Sequence, residues 1–305
     1  MKSIKGITLA IVSSGTFGLI ALFSIPLMVD EGMNIESILF YRFLISAVLM
    51  GLFCAYRKES FKISLKQVVP LIVLGMLYAA TALFLIRSYQ SVPSGIATTI
   101  HFLYPILVSI IMVVFFKEKS SPILFGAALI SLAGVVLLCW SDTGNIGTPG
   151  LIMASLTVLT YALYIVGVNQ TKTGRQMQAE PLTFYILSGS AVIFLIYGLT
   201  TTGIESIPSL SAMGRLIGLA VLATVISDLT LVLAIKYIGS TVTSILGSME
   251  PLVAMFVGVL YFSETFSGYT FIGVAFIILA VCLVVTQSSK KEIQDVKQTI
   301  DKENH

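Results

Sequence analysis

Residues 94–118, SGIATTIHFLYPILVSIIMVVFFKE, are written twice in this chain: a shift of 146 carries them without a gap onto residues 240–264, STVTSILGSMEPLVAMFVGVLYFSE. Ser94 falls on Ser240, Ile96 on Val242, Pro105 on Pro251 and Glu118 on Glu264. Each copy is an apolar run about as long as the roughly 30 Å hydrocarbon core of a bilayer is thick. Each holds one proline and has a glutamate just past its end. A duplication of this kind decides architecture before local propensity does.

The repeat extends outward from there. At a shift of 144, Gly6 meets Gly150, Ala10 meets Ala154, Glu36 meets Glu180, and Phe40-Tyr41 meet Phe184-Tyr185. The chain is 56% hydrophobic and 11% charged, with a mean hydropathy of +0.98. A soluble domain carries about 25% charged residues, so this one lacks the polar surface to cover itself in water. Ten apolar segments are expected, at 6–28, 34–56, 68–87, 93–115, 122–140, 150–169, 181–201, 214–236, 241–262 and 268–287. They are continuously apolar rather than alternating, which predicts helices and excludes a barrel. Five segments per copy is an odd number, so the second copy is expected upside down. The expected fold is an all-α polytopic membrane protein of ten transmembrane helices in two inverted five-helix repeats. Residues 1–146 and 147–289 form the repeats and 290–305 a charged tail.

Fifteen lysines and arginines fall on one side of this arrangement; the other holds only Arg87 and Arg215. The positive-inside rule then places both termini in the cytoplasm. The first segment follows Lys2 and Lys5 but is too long for a signal peptide and lacks a small-residue cleavage site. The basic residues are dispersed, so the net charge of +3 points to no nucleic acid. Cys54, Cys139 and Cys282 are not spaced as metal ligands or as a disulfide framework, and no cofactor or metal is expected. A P-loop, a paired-histidine metal motif and a nucleophile elbow are all absent, which argues against an enzyme and against ATP-driven transport. An intramembrane transferase using Asp228 or Glu250 would need a polar loop to hold a donor. A channel would show rings of like charge or a pore motif.

The ends of the duplicated runs, FFKEK (115–119) and YFSET (261–265), together with SILGSMEPLVAMFVGVLYFSE (244–264), resemble the EamA family of the drug/metabolite transporter superfamily. The resemblance spans about 6–287. It implies export or exchange of small metabolites, often amino acids or their relatives, through a central cavity lined by both halves. His101 and Tyr104 depart from the family pattern, which more usually has small or apolar residues there.

Polar residues inside the membrane are the site candidates, because they are costly there. Arg42 lies about eight residues into the second segment. Its planar fork suits a substrate carboxylate bidentately; a static ion pair with Glu250 or Asp228 is the alternative. Glu250 precedes Pro251 among apolar neighbours and suits proton coupling or an amine, or serves as a structural acid beside the proline. Asp228 is placed to bind an amine, to pair with Arg42 or to reach the cytoplasmic interface. His101 and Tyr104, at i and i+3, share a helix face; the histidine is either a proton carrier or a neutral ring bonded across a helix interface. Tyr78, Tyr161 and Tyr164 are candidates for stacking on a ring or bonding a carboxylate, with interfacial belts as the alternative. Pro105 and Pro251 are expected to break the helix ladder as matching hinges.

The expectation is a multi-pass secondary or facilitative transporter of the bacterial inner membrane, a monomer or homodimer. It moves a small carboxylated metabolite, an amino acid or a relative, outward by alternating access, with protons as a further possible partner. A cationic-drug, nucleotide-sugar or lipid carrier is the alternative.

Overall fold

The computed structural model describes residues 2–92, 97, 100–118, 122–138, 147–262 and 268–303. Among these residues every regular element is helical, as apolar runs without water to bond their backbone require. The first repeat contributes α1 (Lys2–Phe17), α2 (Ile20–Val29), α3 (Ile35–Tyr56), α4 (Leu65–Ser88), α5 (Tyr104–Phe116) and α6 (Pro122–Leu138). The second contributes α7 (Thr148–Gln170), the short α8 (Lys172–Gln176), α9 (Ala179–Thr200), α10 (Leu210–Ala220), a π-helical turn (Val221–Ile226), α11 (Ser227–Leu246), α12 (Met249–Phe262) and α13 (Gly268–Glu303). Six stretches are long and apolar enough to cross a membrane: Ser3–Val29, Ile35–Tyr56, Leu65–Ser88, Thr148–Gln170, Ala179–Thr200 and Leu210–Leu246. Tyr104–Phe116, Pro122–Leu137 and Phe271–Val284 are shorter apolar helices. The charged tail continues α13 as helix to Glu303. Cys139, Trp140 and Glu264 lie outside the described residues.

Three breaks interrupt what the sequence reads as continuous segments. The first segment divides at Gly18-Leu19, where a Cβ on Gly18 would sit 2.6 Å from the carbonyl oxygen of Glu250. The fourth and ninth break just before their prolines, not at them. The chain turns at Phe102-Leu103 and at Gly247-Ser248, and Pro105 and Pro251 fall in the first turn of α5 and α12. A proline there gives up no helical hydrogen bond. The two breaks meet, because a Cβ on Gly247 would collide with the Tyr104 hydroxyl. Finally, α11 runs through the expected boundary near 236–241. Gly239 turns the chain there with φ 79° and ψ 169°, a conformation other residues rarely adopt. Nearby, Lys236 Nζ donates to the carbonyls of Gly174 (2.5 Å) and Met177 (2.7 Å) at the end of α8.

Helix α1 packs on α11 and α4 on α7, while α3 pairs with α9 and α6 with α13. Hydrogen bonds recur in matching pairs. Tyr41 donates to the Glu205 carbonyl (2.8 Å), and 144 residues on, Tyr185 donates to the Phe61 carbonyl (2.5 Å). Ser46 donates to the Ala220 carbonyl (3.1 Å), and Ser190 to that of Gly75 (3.2 Å). The shift is 144 between Phe61 and Glu205, 145 between Gly75 and Ala220, and 146 between Ser94 and Ser240. The π turn at 221–226 lies where the last residue is gained, and a π turn is how a helix takes in one extra residue.

Candidate functional site

A cavity, partly open at its mouth, lies inside the bundle, lined by Phe17, Ile20, Arg42, Tyr78, Thr81, Ala82, Leu85, Ile86, His101, Tyr161 and Glu250. Of the residues expected at a binding site, Arg42, Tyr78, His101, Tyr161 and Glu250 line it; Tyr104, Tyr164 and Asp228 do not. On α4 the lining runs from Tyr78 to Ile86, so the cavity lies toward the end of the bundle marked by the Arg87–Glu36 ion pair (2.6 Å).

Arg42 is 3% exposed, and among the described residues the alternative of a static ion pair with Glu250 or Asp228 does not form. Its Nε donates to Thr224 Oγ1 (2.7 Å) and its Nη2 to the Ala223 carbonyl (3.2 Å). The Thr224 hydroxyl spends its own proton on the Leu219 carbonyl (2.9 Å), so toward Arg42 it is an acceptor. Both partners belong to the π turn. Neutral oxygens thus hold the Nε–Nη2 edge, and no described residue accepts a hydrogen bond from Nη1. Asp228 and Glu250 act on Arg42 electrostatically from a distance. No described residue hydrogen-bonds the Glu250 carboxylate, which faces the cavity.

His101 Nδ1 lies 2.8 Å from Thr157 Oγ1, whose hydroxyl in turn donates to the Ala154 carbonyl. The threonine is therefore the acceptor and Nδ1 the donor. The ring packs on Tyr161 (centroids 5.3 Å apart) and Tyr104 (5.2 Å). Tyr161 stacks on Tyr164 (6.1 Å), which lies against Tyr78 (4.9 Å). These tyrosines are interior, not interfacial. Asp228 is fully buried rather than at the interface; Tyr164 donates to its Oδ1 (2.8 Å), while among the described residues its Oδ2 has no hydrogen-bond partner and the Tyr78 hydroxyl, beside Arg42, has no well-aligned one. Among the described residues no group of three His, Cys, Asp or Glu could hold a metal ion.

Threonines 81, 157, 160 and 224 escaped sequence reasoning. Thr81 bonds Thr160 across α4 and α7 (2.7 Å), and Thr224 holds Arg42. Threonine is unremarkable in an apolar helix because its hydroxyl bonds its own helix's carbonyls. The one trace in the sequence is the lengthening of the repeat shift from 144 to 146, which marks the eighth segment as carrying inserted residues.

Known proteins give the site its context. The chain is 25% identical over 218 residues to protein PecM of Dickeya dadantii, covering 68% of this chain and 71% of that one. It is 25% identical over 228 residues to the threonine/homoserine exporter RhtA of Salmonella typhimurium, covering 73% and 70%. To the uncharacterized transporter YdfC of Bacillus subtilis it is 22% identical over 263 residues, 85% of each chain. A solved crystal structure superposes with a TM-score of 0.80 at 16% identity, over 94% of this chain and 98% of that one. The EamA-like transporter family matches twice, at residues 4–140 and again at 148–286. Matched over both halves, this membrane protein belongs to the EamA-like transporter family.

Proposed function

We propose that the protein is a secondary transporter of a bacterial inner membrane that moves a small zwitterionic metabolite, an amino acid or a close relative, by alternating access. The carrying observation is Arg42. Among the described residues, the buried Arg42 guanidinium makes no ion pair, with only the Tyr78 hydroxyl beside its free edge, and Glu250 lines the same cavity with no hydrogen bond to its carboxylate. A ligand with one carboxylate and one ammonium group satisfies both. A simple cation would leave Arg42 repelled; a simple anion would leave Glu250 so. The relative RhtA, an exporter of threonine and homoserine, supports this class and the outward direction.

The proposal includes ten spans in two inverted repeats, 1–146 and 147–289, with both termini cytoplasmic. The matched hydrogen bonds at shifts of 144 and 145 support the inversion, and the fifteen-to-two distribution of basic residues supports the orientation. Counterflow in proteoliposomes, with unlabelled amino acids inside and labelled ones outside, tests the function without a coupling ion. A saturable signal for one group of amino acids is expected, and it should vanish in Arg42→Ala protein that stays monodisperse. Undiminished counterflow in Arg42→Ala removes the clamp. A silent panel with folded protein removes the amino-acid reading in favour of cationic drugs or nucleotide-linked metabolites.

A further inference from the structure

The repeat shift predicts where a second cavity forms. In an inverted repeat, the state open to the opposite face is lined by the residues that the shift pairs with the present lining. Ile20 maps to Tyr164 at 144; Ala82 maps to Asp228, Leu85 to Leu231 and Glu250 to Tyr104 at 146. Phe17 and Tyr161 map onto each other, and both already line the cavity. None of these four mapped partners (Tyr164, Asp228, Leu231 and Tyr104) lines the present cavity, and all are buried in the bundle. Tyr104 and Asp228 are thus not strays from the site. They stand where its other half should be.

Asp228 carries a second sign. It is wholly buried, yet Tyr164 bonds only Oδ1, and Oδ2 bonds no described residue. A carboxylate oxygen without a donor deep in the protein is costly and makes sense if a donor arrives in another state. The charged or titratable groups around Asp228 are Tyr164 on α7, Tyr78 on α4, Tyr161 on α7 and Arg42 on α3. None is an ammonium.

We propose that when the protein opens toward the face that bears Lys236, Asp228, oriented by Tyr164, replaces Glu250 as the receptor of the substrate's ammonium group. This rests on the alternating-access reading above. Opening that face must also release Lys236 from the carbonyls of Gly174 and Met177 and Thr241 from Glu118 Oε2 (2.8 Å).

The test is labelling with a membrane-impermeant thiol reagent, applied to vesicles of both orientations, in a background lacking the three native cysteines. Ala82→Cys should react from one face and Asp228→Cys from the opposite face only; Leu231→Cys, a milder change one helical turn on, should behave like Asp228→Cys. Reaction of 228 and 231 from the same face as 82, or from neither, overturns the second cavity. Ethylamine should slow labelling of Leu231→Cys while propionate does not, and adding Asp228→Asn should weaken that protection by about tenfold or more, as loss of a charged hydrogen bond does. Absent protection, or protection unchanged by Asp228→Asn, removes the ammonium role. These readouts need no transported substrate, so a silent amino-acid panel would strike the proposed substrate while leaving the second cavity to be judged on its own.

Discussion

Arg42 shows how a single charge is kept in an apolar bundle. Placing it at mid-helix costs at least about 2.5–3.5 kcal/mol, and a hydrogen bond to a charged group returns about 1.5–3 kcal/mol. Two bonds to neutral oxygens are therefore enough to offset a cost of that size without consuming the charge, whereas an ion pair would have consumed it. Thr224→Val should leave Nε unsatisfied and lower stability by about 1–3 kcal/mol. It should also raise the half-saturation concentration in counterflow, since the fork is no longer aimed; thermal unfolding in detergent reads the first effect. Arg42→Lys should not restore transport lost in Arg42→Ala, because an ammonium lacks the paired donors. Tyr78→Phe is the contrasting case. Its hydroxyl lies beside the Arg42 guanidinium and makes no well-aligned hydrogen bond to a described residue, so the change should cost under about 1 kcal/mol of stability, and a loss of transport beyond that would assign the hydroxyl to the substrate.

At the scale of elements, function is placed by interruptions. Segments four and nine stop at 102–103 and 247–248 and restart at prolines, and α1 ends where Gly18 lets the Glu250 carbonyl approach. His101 and Glu250 flank these stops, which is why they reach the cavity. Gly247→Ala should destabilise the protein by about 1–3 kcal/mol through overpacking. Tyr104→Phe should recover part of that loss by removing the hydroxyl that the new methyl strikes, and a double-mutant cycle measures the coupling. Gly18→Ala should find no such rescue, because its obstacle is backbone. Gly could not announce these breaks in the sequence, since it is common in apolar helices as a packing residue. The prolines did announce them, displaced by two or three residues.

For the whole molecule, what was legible was what is anomalous in lipid. Arg42, Asp228 and Glu250 stand out because charge is rare in apolar runs, and the duplication stands out because the same pattern recurs in register. What each charge faces was not legible, since Asp228 and Glu250 look alike in sequence and differ only in which side of the bundle is open. The Tyr41 and Tyr185 tethers test how the whole moves. They sit at opposite ends of the paired helices α3 and α9, and both are closed in this one state. A gate would be closed at one end only, so under the proposed alternating access the two tethers would belong to a frame about which α1, α4, α7 and α11 rearrange. Tyr41→Phe and Tyr185→Phe should then each cost about 0.5–1.5 kcal/mol, add when combined, and leave half-saturation equal to wild type at both faces. A change in half-saturation at one face only would instead make that tether part of a gate and move α3 or α9 from the frame to the moving set.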